Sequence, residues 1–132
     1  MTGARRTVST TSAPPPAGTY SQGVVAGGVL YASGQTPRLP DGTRRGDEPF
    51  DVQARLVLGN LGAVVEAAGA RLADAAMVTV YLRDPAGQAA AFDEIYRETL
   101  GETSCPPARA VVQSSLPHGE LEVTAVVPLG EE

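Results

Sequence analysis

Several residue types that build common functional sites are scarce or missing in this sequence of 132 residues. It has one Cys, which excludes an internal disulfide, and with one His it has no Cys/His cluster at metal-ligand spacing. It also lacks a Gly-x-Ser-x-Gly elbow, a P-loop and a dinucleotide-binding fingerprint. We therefore expect no metal site. Cys105 has no basic neighbour to activate it as a nucleophile, and His118, in a Pro-His-Gly turn, is expected to be solvated.

Long apolar runs and an excess of positive charge are missing as well. No run approaches the roughly 20 apolar residues of a membrane span, and no apolar segment follows Arg5-Arg6, so this pair is not an export signal. The formal net charge of −5 argues against nucleic acid or an anionic membrane as a partner, because such partners usually select basic surfaces. We expect a soluble cytoplasmic protein with neither partner.

The residues that are present suit one domain with a core of small apolar side chains. Hydrophobic residues make up 42% of the chain and Trp is absent, so Val, Ala and Leu must fill the core. Residues 1–16 are rich in Ser, Thr, Pro, Gly and Arg, and end in three prolines. This composition predicts a flexible N-terminal arm over 1–16, followed by a single domain over 17–132.

Hydrophobic periodicity predicts two helices and five strands. Strands are indicated by short Val-rich runs bounded by Gly, Pro and Ser, and helices by apolar residues at helical spacing. The predicted strands cover 24–26, 29–33, 77–82, 107–112 and 121–127, and the predicted helices cover 51–68 and 85–100. The order ββαβαββ favours an α+β fold, with a mixed sheet and both helices packed on one face. The other face has no helix to cover it, which predicts burial in a homo-oligomer.

One charged residue stands in each of the last two predicted strands, Arg109 in the first and Glu122 in the second. If these strands pair through the loop over 114–120, their polar faces could coincide, although a slip of one residue would reverse this. On spacing alone, an ion pair between the two or an Arg on a solvated edge is favoured over an anion-binding Arg, because structural pairs are common.

Five motifs in register resemble the reactive-intermediate deaminase (RidA/YjgF) family over about residues 13–128. They are Gly18-Thr19-Tyr20-Ser21-Gln22-Gly23, Ser33-Gly34-Gln35-Thr36-Pro37, Asn60-Leu61 with Glu66-Ala67-Ala68-Gly69, Val78-Thr79-Val80-Tyr81-Leu82-Arg83-Asp84, and Pro107-Ala108-Arg109 with Leu121-Glu122-Val123. Five motifs together are far more specific than one. The resemblance implies a chorismate-mutase-like fold and a homotrimer with a site at each subunit interface.

The resemblance also implies an activity: hydrolysis of 2-aminoacrylate-type enamines and imines to 2-oxo acids and ammonia, without a cofactor. Arg109 matches the residue that holds the substrate carboxylate, and Glu122 the residue associated with the attacking water. Tyr20 and Ser33 match pocket residues, Gly34 a backbone position there, and Val111 a position whose carbonyl can contact water or ammonia. A pathway-specific biosynthetic protein, a non-catalytic binder of small carboxylates and an RNA-cleaving protein are the alternatives.

Three features depart from the family pattern. Val111 stands where Cys is frequent, and Asp93 stands where Asn is frequent. The loop over 117–120 is one residue shorter than usual. These departures lie in or near the implied site, so they bear on the shape of the pocket and on the substrate.

Overall fold

The computed structural model describes residues 4–130, which form six strands, two helices and a short 3₁₀ turn. In chain order these are β1 (Arg5–Val8), β2 (Gly23–Ala26), β3 (Val29–Gln35), α1 (Phe50–Ala67), the 3₁₀ turn (Leu72–Asp74), β4 (Met77–Leu82), α2 (Pro85–Leu100), β5 (Ala108–Gln113) and β6 (Leu121–Pro128). The bounds of both helices match the predicted ones to within one residue. Pro85 at the first helical position and Gly101 after the last residue frame α2 as expected.

All six strands form one mixed sheet in the order β1-β2-β3-β6-β4-β5. The pair β4 and β5 is parallel, and every other neighbouring pair is antiparallel. Both helices pack on the same face and on each other. The α+β class and the placement of two helices on one face are therefore confirmed.

The core lies between this sheet face and α1. Side chains of β4 alternate, so that Val78, Val80 and Leu82 are fully buried while Thr79 and Tyr81 are half-buried on the other face. From α1, Val57 and Leu61 are fully buried among them, on the predicted apolar face. No helix of the described residues is long and apolar enough to cross a membrane.

The start of the chain differs from the predicted flexible arm. Residues 1–3 lie outside the description, but β1 pairs antiparallel with β2 from Arg5 to Val8. Farther along, the buried amide of Gln22 accepts a hydrogen bond from the Thr10 N–H (2.7 Å) and donates to the Pro14 carbonyl (2.8 Å). The segment is therefore held on the domain by backbone pairing and by one buried side chain, which its composition does not reveal.

The last two strands also differ from the expected arrangement. They are not neighbours, because β4 lies between β5 and β6. The segment β4-α2-β5 is a parallel crossover, and β6 then returns antiparallel between β3 and β4. The loop over 114–120 therefore spans a strand instead of closing a hairpin, and Arg109 cannot share a ladder with Glu122.

Candidate functional site

Four of the six predicted site residues lie together around one surface cavity of about 550 Å³. Tyr20, Ser33, Gly34 and Glu122 line it, and we refer to it as the Glu122 cavity. Tyr20 comes from the loop before β2, Ser33 and Gly34 from the end of β3, and Glu122 from the start of β6. The cavity thus forms where the end of β3 meets the start of β6, and it is bordered by the loop after β3 and by the loops before β2 and β6.

A β-bulge shapes the floor of this cavity. The β3–β6 ladder shifts register between Ala32 and Gln35, which leaves Ser33 and Gly34 opposite the single residue Thr124. Bulges of this kind redirect side chains and are frequent beside active sites. Here the Glu122 side chain lies directly over Gly34, so close that an added Cβ would be 3.0 Å from the Glu122 carboxyl carbon. The glycine therefore makes the room that this carboxylate occupies.

Two of the predicted site residues carry hydroxyl groups, and both of these groups have fixed partners on nearby loops. The Ser33 hydroxyl donates a hydrogen bond to the Ser21 carbonyl (2.6 Å), so its lone pairs remain available as acceptors. The Tyr20 hydroxyl accepts a hydrogen bond from the Ala17 N–H (2.9 Å), which leaves its proton free to be donated. The predicted site residues therefore bring one hydroxyl donor, one hydroxyl acceptor and one carboxylate to the cavity.

Arg109 lies in a different place, on the edge strand β5. Its guanidinium donates to the Asp93 carboxylate (2.8 Å), and the second oxygen of Asp93 accepts from Arg97 (2.8 Å). The Arg109 guanidinium carbon lies 4.8 Å from the ring centroid of Tyr96, a cation–π contact. The sequence left two structural explanations for Arg109, an ion pair with Glu122 and a position on a solvated edge. Glu122 is not its partner and solvent is not its only contact, because Arg109 pairs with Asp93 on α2.

Arg109 and Glu122 are well separated within one chain. Arg109 is in register with the buried Val78 and therefore faces the helices, whereas Glu122 is in register with Tyr81 on the open face. Two strand spacings and three residues along β5 place their Cα atoms on the order of 14 Å apart. Val111 faces the same way as Arg109 and is 39% exposed. The predicted residues thus divide into the Glu122 cavity and an Arg109 cluster, formed with Asp93, Tyr96 and Arg97.

The electrostatics of the Arg109 cluster act on its buried phenol. Burial raises the pKa of Tyr96 above its usual 10.0, because the phenolate is poorly solvated there. The nearby Arg109 lowers this pKa and Asp93 raises it, with smaller effects. The Tyr96 hydroxyl has no hydrogen-bond partner among the described residues. Tyr96 therefore contacts Arg109 through its ring and not through its hydroxyl.

Three residues with basic or titratable side chains line the Glu122 cavity but were not predicted as site residues: Arg38, Arg44 and His118. The first two lie in the charged loop between β3 and α1, whose charges are the only sequence signal. The buried amide of Gln53 holds this loop beside the loop between β5 and β6. It donates to the Gly46 carbonyl of the first loop (3.0 Å) and accepts from the Glu120 N–H of the second (2.8 Å). Residues 4–130 hold no group of three His, Cys, Asp or Glu side chains that could bind a metal ion.

The fold and the site together define a small α+β protein whose surface cavity holds a glycine-backed carboxylate. A model of one family matches residues 10–128 under the description "Endoribonuclease L-PSP". This match covers most of the chain, and the chain belongs to this family, the RidA/YjgF proteins.

Relatives agree with that assignment. A RutC family protein from Sulfurisphaera tokodaii is 40% identical over 122 residues, which cover 92% of this chain and 95% of the relative. TdcF from Escherichia coli K12, which its name assigns provisionally to the reactive intermediate deaminases, is 36% identical over 127 residues, covering 92% and 95%.

Solved structures show the same fold. RidA from the Antarctic bacterium Psychrobacter sp. PAMC 21119 superposes with a TM-score of 0.83 at 35% identity, covering 94% of this chain and 99% of that one. E. coli TdcF with bound serine gives a TM-score of 0.83 at 32% identity, covering 95% and 99%. The resemblance found from five motifs and the chorismate-mutase-like fold are confirmed.

Proposed function

We propose that this protein hydrolyses 2-imino and 2-enamino acids of the 2-aminoacrylate type to 2-oxo acids and ammonia, without a cofactor. The observation that carries the proposal is the placement of Glu122 over Gly34, in one cavity with Tyr20 and Ser33. A half-buried carboxylate beside two hydroxyl groups can accept a proton from water and pass protons to a leaving nitrogen. Family membership and the name of the TdcF relative support the same chemistry.

The proposal includes a homotrimer in which the Arg109 cluster of one protomer completes the Glu122 cavity of the next. Two features support it. The two groups are too far apart to act together within a chain, and β5 is an edge strand whose Val111 and Val112 are 39% and 41% exposed. Ligand sites are frequent at such interfaces. Arg109 then binds the substrate carboxylate with its planar fork, which fixes the orientation of the imine carbon.

In the proposed reaction, an enamine first gains a proton at C3 and loses one from nitrogen to give the imine. Water then adds to C2 while the Glu122 carboxylate accepts one of its protons. The imine nitrogen takes up a proton to complete the carbinolamine, Glu122 then passes its own proton to that nitrogen, and the C–N bond breaks so that ammonia leaves. The hydroxyl group that came from water loses its proton and becomes the 2-oxo group. An imine is already electrophilic, and we assign the protein the tasks of positioning and proton transfer. The backbone carbonyl of Val111 is a further acceptor for water or ammonia.

The proposal is tested by following pyruvate release from 2-iminopropanoate, generated in situ by a pyridoxal-phosphate dehydratase, with and without this protein. We expect acceleration in proportion to protein concentration, and we expect Glu122→Gln to abolish it while the variant keeps the wild-type melting temperature. No acceleration at any concentration would contradict the deaminase function for that substrate.

A non-catalytic binder of small carboxylates is the second candidate, and the bound serine in the TdcF structure is the observation that favours it. Calorimetry with pyruvate and serine separates it from the deaminase, because a binder would take up these acids without accelerating hydrolysis.

The family description names an endoribonuclease. The net charge of −5 weighs against RNA as substrate, and an RNA-cleavage assay on the same preparation tests it directly.

A further inference from the structure

The rim of the Glu122 cavity carries two arginines for which the proposed chemistry has no use. Arg38 and Arg44 both line the cavity, and neither forms an ion pair with any described residue. Among the described residues of the lining, Glu122 is the only acidic one, so these residues carry a formal charge of +1 with His118 neutral, in a chain whose net charge is −5. An excess of positive charge at this point calls for an anionic occupant.

The two arginines are presented by a structured hairpin and not by a loose loop. Arg38 and Arg44 form an antiparallel β-bridge, which directs both side chains to the same side. The buried Asn60 amide donates to the Arg38 carbonyl (2.7 Å), and the Leu39 N–H donates to the Thr43 carbonyl (2.8 Å). The hairpin is therefore fixed to α1 before any ligand arrives, which reduces the entropy lost on binding.

The Arg38 guanidinium has hydrogen-bonding capacity that no described residue uses. Its Nη2 donates to the Pro15 carbonyl (3.0 Å), but its buried Nε has no hydrogen-bond partner. A buried N–H without a partner is costly and is usually satisfied by a ligand or by water. Arg44 is exposed at the same rim, and its planar fork pairs with no carboxylate of residues 4–130. Together they offer two guanidinium groups, the arrangement that suits a carboxylate.

From these observations we propose that the substrate is a 2-imino dicarboxylic acid, whose distal carboxylate binds at Arg38 and Arg44. This inference rests on the proposed function, in which Arg109 of the neighbouring protomer takes the carboxylate next to the imine. A cavity of about 550 Å³ lies within the range of ligand pockets. It has room for a chain longer than that of the three-carbon 2-aminoacrylate.

The binding test uses two ligands that differ only at the distal end. The products 2-oxoglutarate and 2-oxopentanoate have five carbons each, and one ends in a carboxylate where the other ends in a methyl group. We expect calorimetry to show tighter binding of 2-oxoglutarate by at least about fivefold, in line with a charge-assisted hydrogen bond at an exposed site. Equal affinity of the wild-type protein for the two ligands would overturn the inference.

Variants of neighbouring arginines sharpen the test. Arg44→Gln should remove the preference for 2-oxoglutarate and leave the affinity for 2-oxopentanoate unchanged, while Arg44→Lys should retain part of it. Arg45→Gln is the matched control, because Arg45 belongs to the same loop and carries the same charge but does not line the cavity. If Arg44→Gln weakens both ligands equally, or if Arg45→Gln has the same effect as Arg44→Gln, the distal subsite is wrong.

Hydrolysis of the matching imines separates this inference from the proposed function. An amino-acid oxidase forms 2-iminoglutarate from glutamate and 2-iminopentanoate from norvaline. Faster acceleration of 2-iminoglutarate, lost in Arg44→Gln, supports both. Equal acceleration of the two imines keeps the deaminase and rejects the dicarboxylate preference. Selective binding of 2-oxoglutarate with no acceleration of either imine keeps the subsite and rejects the deaminase.

Discussion

At the scale of single residues, the environment of Arg109 decides what its removal should do. Its partner Asp93 is 39% exposed and also pairs with Arg97, so the ion pair is open to solvent and stabilises the fold little. Exposed pairs of this kind contribute at most about 1 kcal/mol. A buried pair with Glu122, the alternative from the sequence, would have made Arg109 a structural residue whose loss costs several kcal/mol.

We therefore expect Arg109→Ala and Arg109→Lys to lower kcat/KM at least about tenfold, or roughly 1.4 kcal/mol, with nearly unchanged thermal stability. Lys keeps the charge but loses the fork that binds a carboxylate through two parallel bonds. Kinetics and thermal melts on the same samples measure both effects. Arg97→Ala is the control, because it removes the other cation on Asp93 and leaves Arg109 in place. A large loss of melting temperature with wild-type activity per folded molecule would reject the role of Arg109 in binding.

Tyr96 gives a prediction about pH at the same scale. Burial raises the pKa of Tyr96 above 10.0 in the folded state, so the folded protein keeps this proton at pH values where the unfolded chain loses it. The free energy of unfolding should therefore fall as pH rises above about 10. Tyr96→Phe should make this decline shallower, and should raise stability at pH 7 by about 1 kcal/mol, because it removes a buried hydroxyl that has no hydrogen-bond partner among the described residues.

Urea unfolding at pH 7 and at several values above pH 10 measures the Tyr96 effect. Tyr31→Phe is the control, since it removes a phenol that is 50% exposed on the open face of the sheet. An unchanged pH dependence in Tyr96→Phe would show that this phenol is not the group responsible.

At the scale of secondary structure, the bulge at the end of β3 positions the carboxylate of the site. Gly34→Ala should displace Glu122, because the new Cβ would overlap the carboxylate. Glu122 is a flexible, half-buried side chain that can swing away, so we expect little loss of stability and at least about tenfold loss of kcat/KM. Gly59→Ala is the matched control: its added Cβ would meet no described atom within 4 Å outside its own chain neighbours and helix backbone, and in a helix Ala should stabilise by up to about 1 kcal/mol.

Kinetics and melts of the two glycine variants give clear outcomes. A fully active Gly34→Ala variant would show that the position of Glu122 over Gly34 is not needed for catalysis. Open space lies beside both Gly59 and Gly62, so neither glycine is needed to let α1 approach the sheet.

The elements themselves could be predicted where a periodic pattern exists. The apolar faces of α1 and β4 are visible in the spacing of Val57 and Leu61 or of Val78 and Val80, since burial on one face imposes that spacing. In β1, three of four residues are exposed, so no alternation marks it as a strand. The bulge at Ser33 and the order of β4, β5 and β6 depend on pairing between distant segments, which local patterns do not encode.

Part of the candidate site could likewise be predicted from the sequence, and part depends on tertiary structure. Tyr20, Ser33, Gly34 and Glu122 were found through the family motifs and do lie around one cavity. The pairing of Arg109 with Asp93, and the convergence of Arg38 and Arg44 on that cavity, are consequences of tertiary structure. No spacing in the chain indicates them, because each joins residues from different elements or from a loop.

At the scale of the whole molecule, the open sheet face and the edge strand β5 bear on assembly. Tyr31 and Val112 are 50% and 41% exposed, on the face that no helix covers. A homotrimer would bury such residues, and light scattering that shows a monomer of the 13.5 kDa chain would contradict it. The assembly matters for function because Arg109 and Glu122 face opposite sides of one sheet.

Mixing two impaired variants tests whether a site is built from two protomers. Alone, Arg109→Ala should keep at most about a tenth of wild-type activity, and Glu122→Gln should be inactive. In trimers formed by co-expressing both, a site is intact when its Arg109 comes from a Glu122→Gln chain and its Glu122 from an Arg109→Ala chain. Random cyclic assembly gives about a quarter of such sites, and we expect about that fraction of wild-type activity to return. Native mass spectrometry of the co-expressed trimers, whose two variant chains differ in mass, measures how far the chains mix. If co-expression restores nothing while the trimers contain both chains, the site shared between two protomers is excluded.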